Sequence, residues 1–238
     1  MKPHTNTAFD HDLQELQTAV LRMGGLVEAA ISKATKAFVT RDQDLAHTVV
    51  TGDKQIDALE TEINSAVVRM LALRQPAASD LHQVVSVMKV AGDLERLGDY
   101  AKNLGKRVPV LNQSDLVEGA GAAVKGLSTL VQSMLKDVLD AYVRNDLELA
   151  KAVLDKDREV DQMTNAMFRE LLTHMMEDPR SITVCMHLLF IAKNFERMGD
   201  HVTEIGEQII FVETGEQPAP RQKGESTSMI TDPPGADA

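Results

Sequence analysis

Apolar residues between Leu45 and Leu73 recur in steps of four and three: Leu45, Val49, Gly52, Ile56, Leu59, Ile63, Ala66, Met70 and Leu73. At 3.6 residues per turn this spacing draws one apolar stripe along a helix. A stripe so long marks a helix packed beside others at small crossing angles. Ile191, Phe195, Met198, Val202, Ile205, Ile209 and Val212 follow the same spacing. Prolines stand at 3, 76, 109, 179, 218, 220, 233 and 234, which leaves the proline-free tracts 4–75, 110–178 and 180–217 open to helix. The first tract is interrupted at Val39-Thr40-Arg41-Asp42, where Asp42 or Thr40 can cap a new start, and the second at Arg144-Asn145-Asp146. The pattern predicts six helices, at about 9–40, 42–74, 78–107, 114–144, 146–176 and 180–212. A helix of about 30 residues is about 45 Å long, so the bundle should be elongated.

The chain repeats itself. Asp42-Gln43-Asp44-Leu45-Ala46, Val49-Val50, Asp53 and Ile56-Asp57 align with Asp146-Leu147-Glu148-Leu149-Ala150, Val153-Leu154, Asp157 and Val160-Asp161 at an offset of 104. Further on, Ala91 and Leu94-Glu95-Arg96-Leu97-Gly98-Asp99 align with Ala192 and Phe195-Glu196-Arg197-Met198-Gly199-Asp200 at an offset of 101. The fold expected is all-α, a tandem repeat of two antiparallel three-helix bundles over residues 8–109 and 112–212. Residues 213–238 hold four of the eight prolines and no apolar period, and read as a disordered tail.

Composition narrows the class. Aromatics are 3% of the chain with no Trp, and the apolar stock is Leu, Val, Ile, Ala and Met, which suits helices better than a β-sandwich. The net charge is −11 with no run of Lys and Arg, so nucleic acid is not expected as a partner. No apolar stretch reaches the roughly 18–20 residues that span a bilayer, and the segment Met1 to His11 is too polar for a signal peptide. Cys185 is the one cysteine and lies among apolar residues, a small buried hydrophobe rather than a nucleophile. The cytoplasm is the expected location.

Two acids four residues apart on a helix repel by about 0.2–0.5 kcal/mol. The chain carries six such pairs: Asp53/Asp57, Glu95/Asp99, Asp155/Glu159, Asp157/Asp161, Glu196/Asp200 and Asp200/Glu204. Four of them occupy matching places in the two repeats. Asp53 and Asp57 fall on the shoulder of the Ile56/Leu59 seam, and Glu95 and Asp99 flank a seam of Leu94, Leu97, Ala101 and Leu104. Antiparallel neighbours could present two pairs to each other as an all-oxygen cluster that draws a multivalent cation. Oxygen donors favour Mg, Ca or Mn, or a multinuclear Fe cluster, over structural Zn. Gly98 and Gly199 sit inside the motif, where an absent side chain lets a helix or a hydrated ion approach. The competing interpretation is a solvated acidic face neutralised by Arg96, Arg197, Lys54 and Lys102. Asn103 and Glu204 are candidate extra ligands.

The familiar catalytic patterns are missing. No Glu-x-x-His pair, no His-Glu-x-x-His and no phosphate-binding Gly-x-x-x-x-Gly-Lys occurs. His11 and His201 look isolated, and Met163, Met167, Met175 and Met176 are spaced as core residues. Gly119, Gly121, Ala122 and Ala123 either tighten the second repeat or offer a close-packing face to a partner helix or second subunit; a homodimer is expected.

Glu-Arg-Leu-Gly-Asp at 95–99 and Glu-Arg-Met-Gly-Asp at 196–200, within two three-helix units, resemble the PhoU family of phosphate-signalling proteins. Met23-Gly24-Gly25-Leu26-Val27-Glu28 and Asp44-Leu45-Ala46 through Asp57 are similar as well, and the resemblance covers about residues 8–212. It implies a cytoplasmic regulator, not an enzyme, that links the Pst phosphate ABC transporter, through its ATPase subunit PstB, to the PhoR sensor histidine kinase. Such a protein represses the phosphate-starvation response when phosphate is plentiful and meets the membrane only through its partners. It implies further a multinuclear metal cluster (Fe, or Mg, Mn or Zn) on the acidic motifs, here Asp53, Asp57, Glu95, Asp99, Asp157, Asp161, Glu196 and Asp200. A carboxylate-bridged metalloenzyme or metal-storage bundle is the alternative.

Overall fold

The computed structural model describes residues 7–76, 79–115, 117–216 and 218. Its elements are α1 (Thr7–Thr40), α2 (Gln43–Arg74), α3 (Ser79–Leu111), α4 (Ala120–Arg144), α5 (Leu147–Glu177) and α6 (Ile182–Thr214), with one 3-10 turn at Pro179–Ser181 ahead of α6. These six long helices are the ones the periodicity predicts.

The turns that start α2 and α5 share one design. Asp42 Oδ1 accepts a hydrogen bond from the Leu45 amide at 2.9 Å, and Asp146 Oδ1 from the Leu149 amide at 3.0 Å. Each cap satisfies an amide that the first turn would otherwise leave unpaired. The residue before each cap takes a left-handed conformation, Arg41 at φ 57 and Asn145 at φ 50. The Asp42 amide then reaches the Ala37 carbonyl at 2.9 Å, and the Asp146 amide the Ala141 carbonyl at 3.0 Å.

Two boundaries differ from expectation. Pro109 does not end α3 at 107; the helix runs through it to Leu111. Proline here removes one amide in the last turn, while burial of Val108 and Leu111 holds that turn against the core. Helix α4 begins at Ala120, not near 114, because Gly119 at φ 81 makes the sharp entry.

Within α2 the buried face is Ala46, Val49, Asp53, Ile56, Leu59, Ile63, Val67 and Met70. Leu73, expected on the seam, is 71% exposed at the end of the helix. In α6 the expected seam is buried from Ile191 through Ile209, while Val212 is half-buried. Cys185 is fully buried. Met167 is core and Met163 packs against it, but Met176 is exposed.

Helices α3 and α6 pack against each other, as do α1 and α4, so the two units share one apolar core. A buried hydrogen bond from Thr35 to Ser128, 2.8 Å, ties α1 to α4. Helices α2 and α5 flank this centre and pack on their own units. Among the described residues, no helix is long and apolar enough to cross a membrane. Most of the expected tail, from residue 219 on, lies outside the described residues; Glu213 and Thr214 complete α6.

Candidate functional site

The acidic motifs lie where α3 meets α2 and α6 meets α5. In the first unit, Asp53 is not on the shoulder of its seam but inside it, 4% exposed, one turn before the buried Ile56. Its burial is made room for by Gly98. A Cβ there would stand 2.9 Å from Ile56 Cδ1, 3.2 Å from Ile56 Cγ2 and 3.5 Å from Asp53 Oδ1. In the second unit Asp157 is likewise buried, and a Cβ on Gly199 would stand 2.6 Å from its Oδ1. Both motif glycines are therefore contact points between helices, which accounts for a residue that costs about 1 kcal/mol of helix propensity.

Lys102 stands in the first cluster. Its Nζ lies 2.5 Å from Asp53 Oδ2 on α2 and 2.8 Å from Asp99 Oδ1 on α3, a bridge across the helix pair. These hydrogen bonds push the ammonium pKa well above its ordinary value. The other two acids are held above the usual carboxylate range. For Asp57, an exposed residue at the edge of the helix pair, partial desolvation comes first and the Asp53 charge second, with Lys102 pulling the other way. For Glu95, burial is again largest, then Asp99, against the pull of Arg96. Arg96 lies 3.6 Å from Glu95 and 3.9 Å from Asp99 at the solvent edge. Asp53, Asp57, Glu95 and Asp99 thus share one electrostatic site. Of the cations that could neutralise the acids, Lys102 and Arg96 are engaged, whereas Lys54 and Arg197 are exposed.

In the second unit Asp161, Glu196 and Asp200 are half-buried and Asp157 is buried. Lys193 forms an ion pair with Glu196 along α6. The place of Lys102 is taken by Thr203, fully buried, whose hydroxyl donates to the Asp200 carbonyl at 2.6 Å.

The donor chemistry of both units fits an oxygen-bound cation. In the first unit a further observation supports the fit: Asp53 Oδ1 is buried without a hydrogen-bond partner. Such an ion would be held by Asp53, Asp57, Glu95 and Asp99, or by Asp157, Asp161, Glu196 and Asp200. Neither tetrad is drawn tightly together. Among the described residues, the groups whose ligand atoms come within 4.8 Å of one another are His11/Asp12/Glu15 and Asp93/His201/Glu204.

The second of those groups escaped the sequence reading, in which His201 looked isolated. His201 Nδ1 lies 3.0 Å from Asp93 Oδ1 on α3 and 3.1 Å from Glu204 Oε2 on its own helix. Asp93 and His201 are 108 residues apart, so only the spacing from His201 to Glu204 was legible. Hydrogen bonds that protonated His201 donates to Asp93 and Glu204 lift its pKa to about 10, and burial pushes Asp93 up to about 6. The group borders an open cleft of about 500 Å³ that also includes Glu60, Lys89 and Arg96. Gly121 has open space around it and Ala122 is exposed, while Ala120 and Val124 face the core.

A family model described as the PhoU domain matches this chain twice, over residues 20–108 and 124–209. The chain is 47% identical over 217 residues to the phosphate-specific transport system accessory protein PhoU homolog of Caulobacter vibrioides, covering 91% of this chain and 94% of that protein. It is 44% identical over 221 residues to the protein of the same name from Zymomonas mobilis, covering 93% of each. The crystal structure of PhoU from Pseudomonas aeruginosa superposes with a TM-score of 0.84 at 38% identity, over 87% of this chain and all of that one. The phosphate transport system regulatory protein PhoU from Streptococcus pneumoniae gives 0.83 at 32% identity, over 89% of this chain.

Proposed function

The chain belongs to the PhoU family, and from that premise we propose that it acts in the cytoplasm as a switch between a phosphate transporter and a sensor kinase. At the coarser level it is an accessory, regulatory protein of phosphate transport and not an enzyme. The finer reading is that it binds the ATPase subunit PstB of the Pst transporter and the PhoR sensor histidine kinase. It then represses the starvation response when phosphate is plentiful, with a homodimer as the working unit and the membrane reached only through these partners.

The observation that carries this reading is the doubled acid–glycine–acid helix pair in a two-unit bundle that the family model matches in both halves. Long helices packed side by side are suited to binding and repositioning partner helices. A multivalent cation on the acidic tetrads, Fe or Mg, Mn or Zn, would supply positive charge between α2 and α3 or between α5 and α6. The residues do the rest: buried Asp53 and Asp157 fix the position of each site, and the glycines set the helix separation.

Deletion of the gene tests the proposal. Secreted alkaline phosphatase should rise in phosphate-rich medium and fall again when the wild-type gene is restored. Unchanged activity in the deletion strain would overturn the repressor role.

A further inference from the structure

We propose that Lys102 is the resident cation of the first acidic cluster, so that a free multivalent ion enters that cluster only by displacing it. The inference rests on the metal reading of the tetrads given above and asks what an ion meets on entering the first cluster.

Lys102 bridges two helices where an ion would sit, with its Nζ 2.5 Å from Asp53 Oδ2 and 2.8 Å from Asp99 Oδ1. Its side chain is 24% exposed and Asp53 is 4% exposed, so the contact is shielded from solvent, unlike an ordinary surface ion pair. A buried carboxylate needs a partner of opposite charge, and here the chain brings its own. The ammonium is tethered by its stem, so its local concentration is far higher than that of any free ion. A divalent ion approaching Asp53 and Asp99 meets a positive charge already in place. It must either replace that charge or be repelled by it.

The orphaned Asp53 Oδ1 shows that Lys102 does not use the whole site. This atom is buried without a hydrogen-bond partner and faces the closely packed Gly98, where an added Cβ would stand 3.5 Å from it. With Lys102 withdrawn, the Asp53 and Asp99 oxygens that it holds become available to an ion. At the matching place in the second unit stands Thr203, neutral and bonded to its own helix, while Lys193 pairs with Glu196 of that tetrad. Metal binding to the first unit should therefore depend on residue 102.

Titration of the full chain with Mn2+, read by calorimetry and by the loss of the free Mn2+ electron-spin signal, tests this. K102M and K102Q should each gain Mn2+ affinity of at least about tenfold over wild type. The gain should vanish when D53N is added, and K102R, which keeps the charge, should behave as wild type. Wild-type affinity and stoichiometry in both K102M and K102Q would overturn the proposal. If removing the lysine prevents folding, which circular dichroism reports, the wild-type chain decides. Acetylation of Lys102, followed by mass spectrometry, should be slower than that of exposed Lys54 and should accelerate as Mn2+ fills the cluster. Unchanged Lys102 reactivity at an Mn2+ level whose binding D53N abolishes would show the ion sitting beside the lysine, and would overturn it. A failed repressor assay would leave this result untouched, because the two experiments read different properties.

Discussion

The two halves of the bundle repeat one another in backbone and diverge in charge. Asp42 and Asp146 cap equivalent helices, Gly98 and Gly199 face Asp53 and Asp157, and the same acids follow in both. Yet Lys102 neutralises the first cluster where Thr203 stands in the second. At the α3–α6 contact the asymmetry recurs. His201 occupies in the second repeat the place of Tyr100 in the first, and the two rings stack at 5.8 Å. Asp93, its partner, is matched by Asn194. Duplication preserved what the fold needs, namely the apolar seams, the caps and the close helix approach. Charge was left to vary, because one lysine or histidine at a helix contact alters electrostatics without disturbing the packing geometry.

The largest test of that comparison is in the core. Leu94 and Phe195 hold equivalent buried positions. Phe195→Ala should cost about 3–5 kcal/mol and Leu94→Ala about 2–5 kcal/mol, read from denaturant midpoints. Because α1–α4 and α3–α6 join the units, both variants should still unfold in one transition; a second transition in either would show that the units are energetically separate.

Next come the glycines. Gly199→Ala should destabilise by about 1–3 kcal/mol, since the added carbon would overlap the buried Asp157 carboxylate. Gly98→Ala should cost less, because the nearest atom is the terminal Cδ1 of Ile56, and the gain in helix propensity of about 1 kcal/mol offsets part of the strain. Equal losses in a urea titration would remove the distinction between the two contacts.

The caps should not distinguish the halves. Asp42→Ala and Asp146→Ala are each expected to lose about 1 kcal/mol, and a difference well beyond that scale would mean the turns are not equivalent.

The last test is of pH dependence, at His201. Its pKa is lifted from 6.5 to about 10 in the folded chain, so its contribution to stability is complete below about 6.5 and is lost as pH rises through about 10. His201→Gln should flatten the fall in melting temperature across that window, whereas Tyr100→Phe should leave it unchanged. An unaltered slope in His201→Gln would show that the imidazole does not carry it.

Much of this could be read along the chain. The four-and-three spacing of Ile56, Leu59 and Ile63, and of Phe195, Met198 and Val202, fixed which side of each helix is buried. The cap of α2 was narrowed to Asp42 or Thr40, and the structure takes Asp42, while the acids four apart announced their common face. Pro109 misled, because a proline in the last turn removes a single amide while Val108 and Leu111 keep that turn packed. Asp53 misled in the other direction: as an acid beside a seam it reads as half-exposed, until Gly98 on another helix opens a place for it.

The amino-acid order by itself therefore determined the helices, their buried stripes, the doubling of the unit and the presence of paired acids. All of these depend on residues within a turn or two of one another, where helical geometry fixes the distances. Only the tertiary structure decided that Lys102 reaches Asp53, 49 residues away, and that His201 reaches Asp93. Those contacts depend on how far each helix is rotated and shifted against its neighbour, and the packing of the whole core sets that rotation.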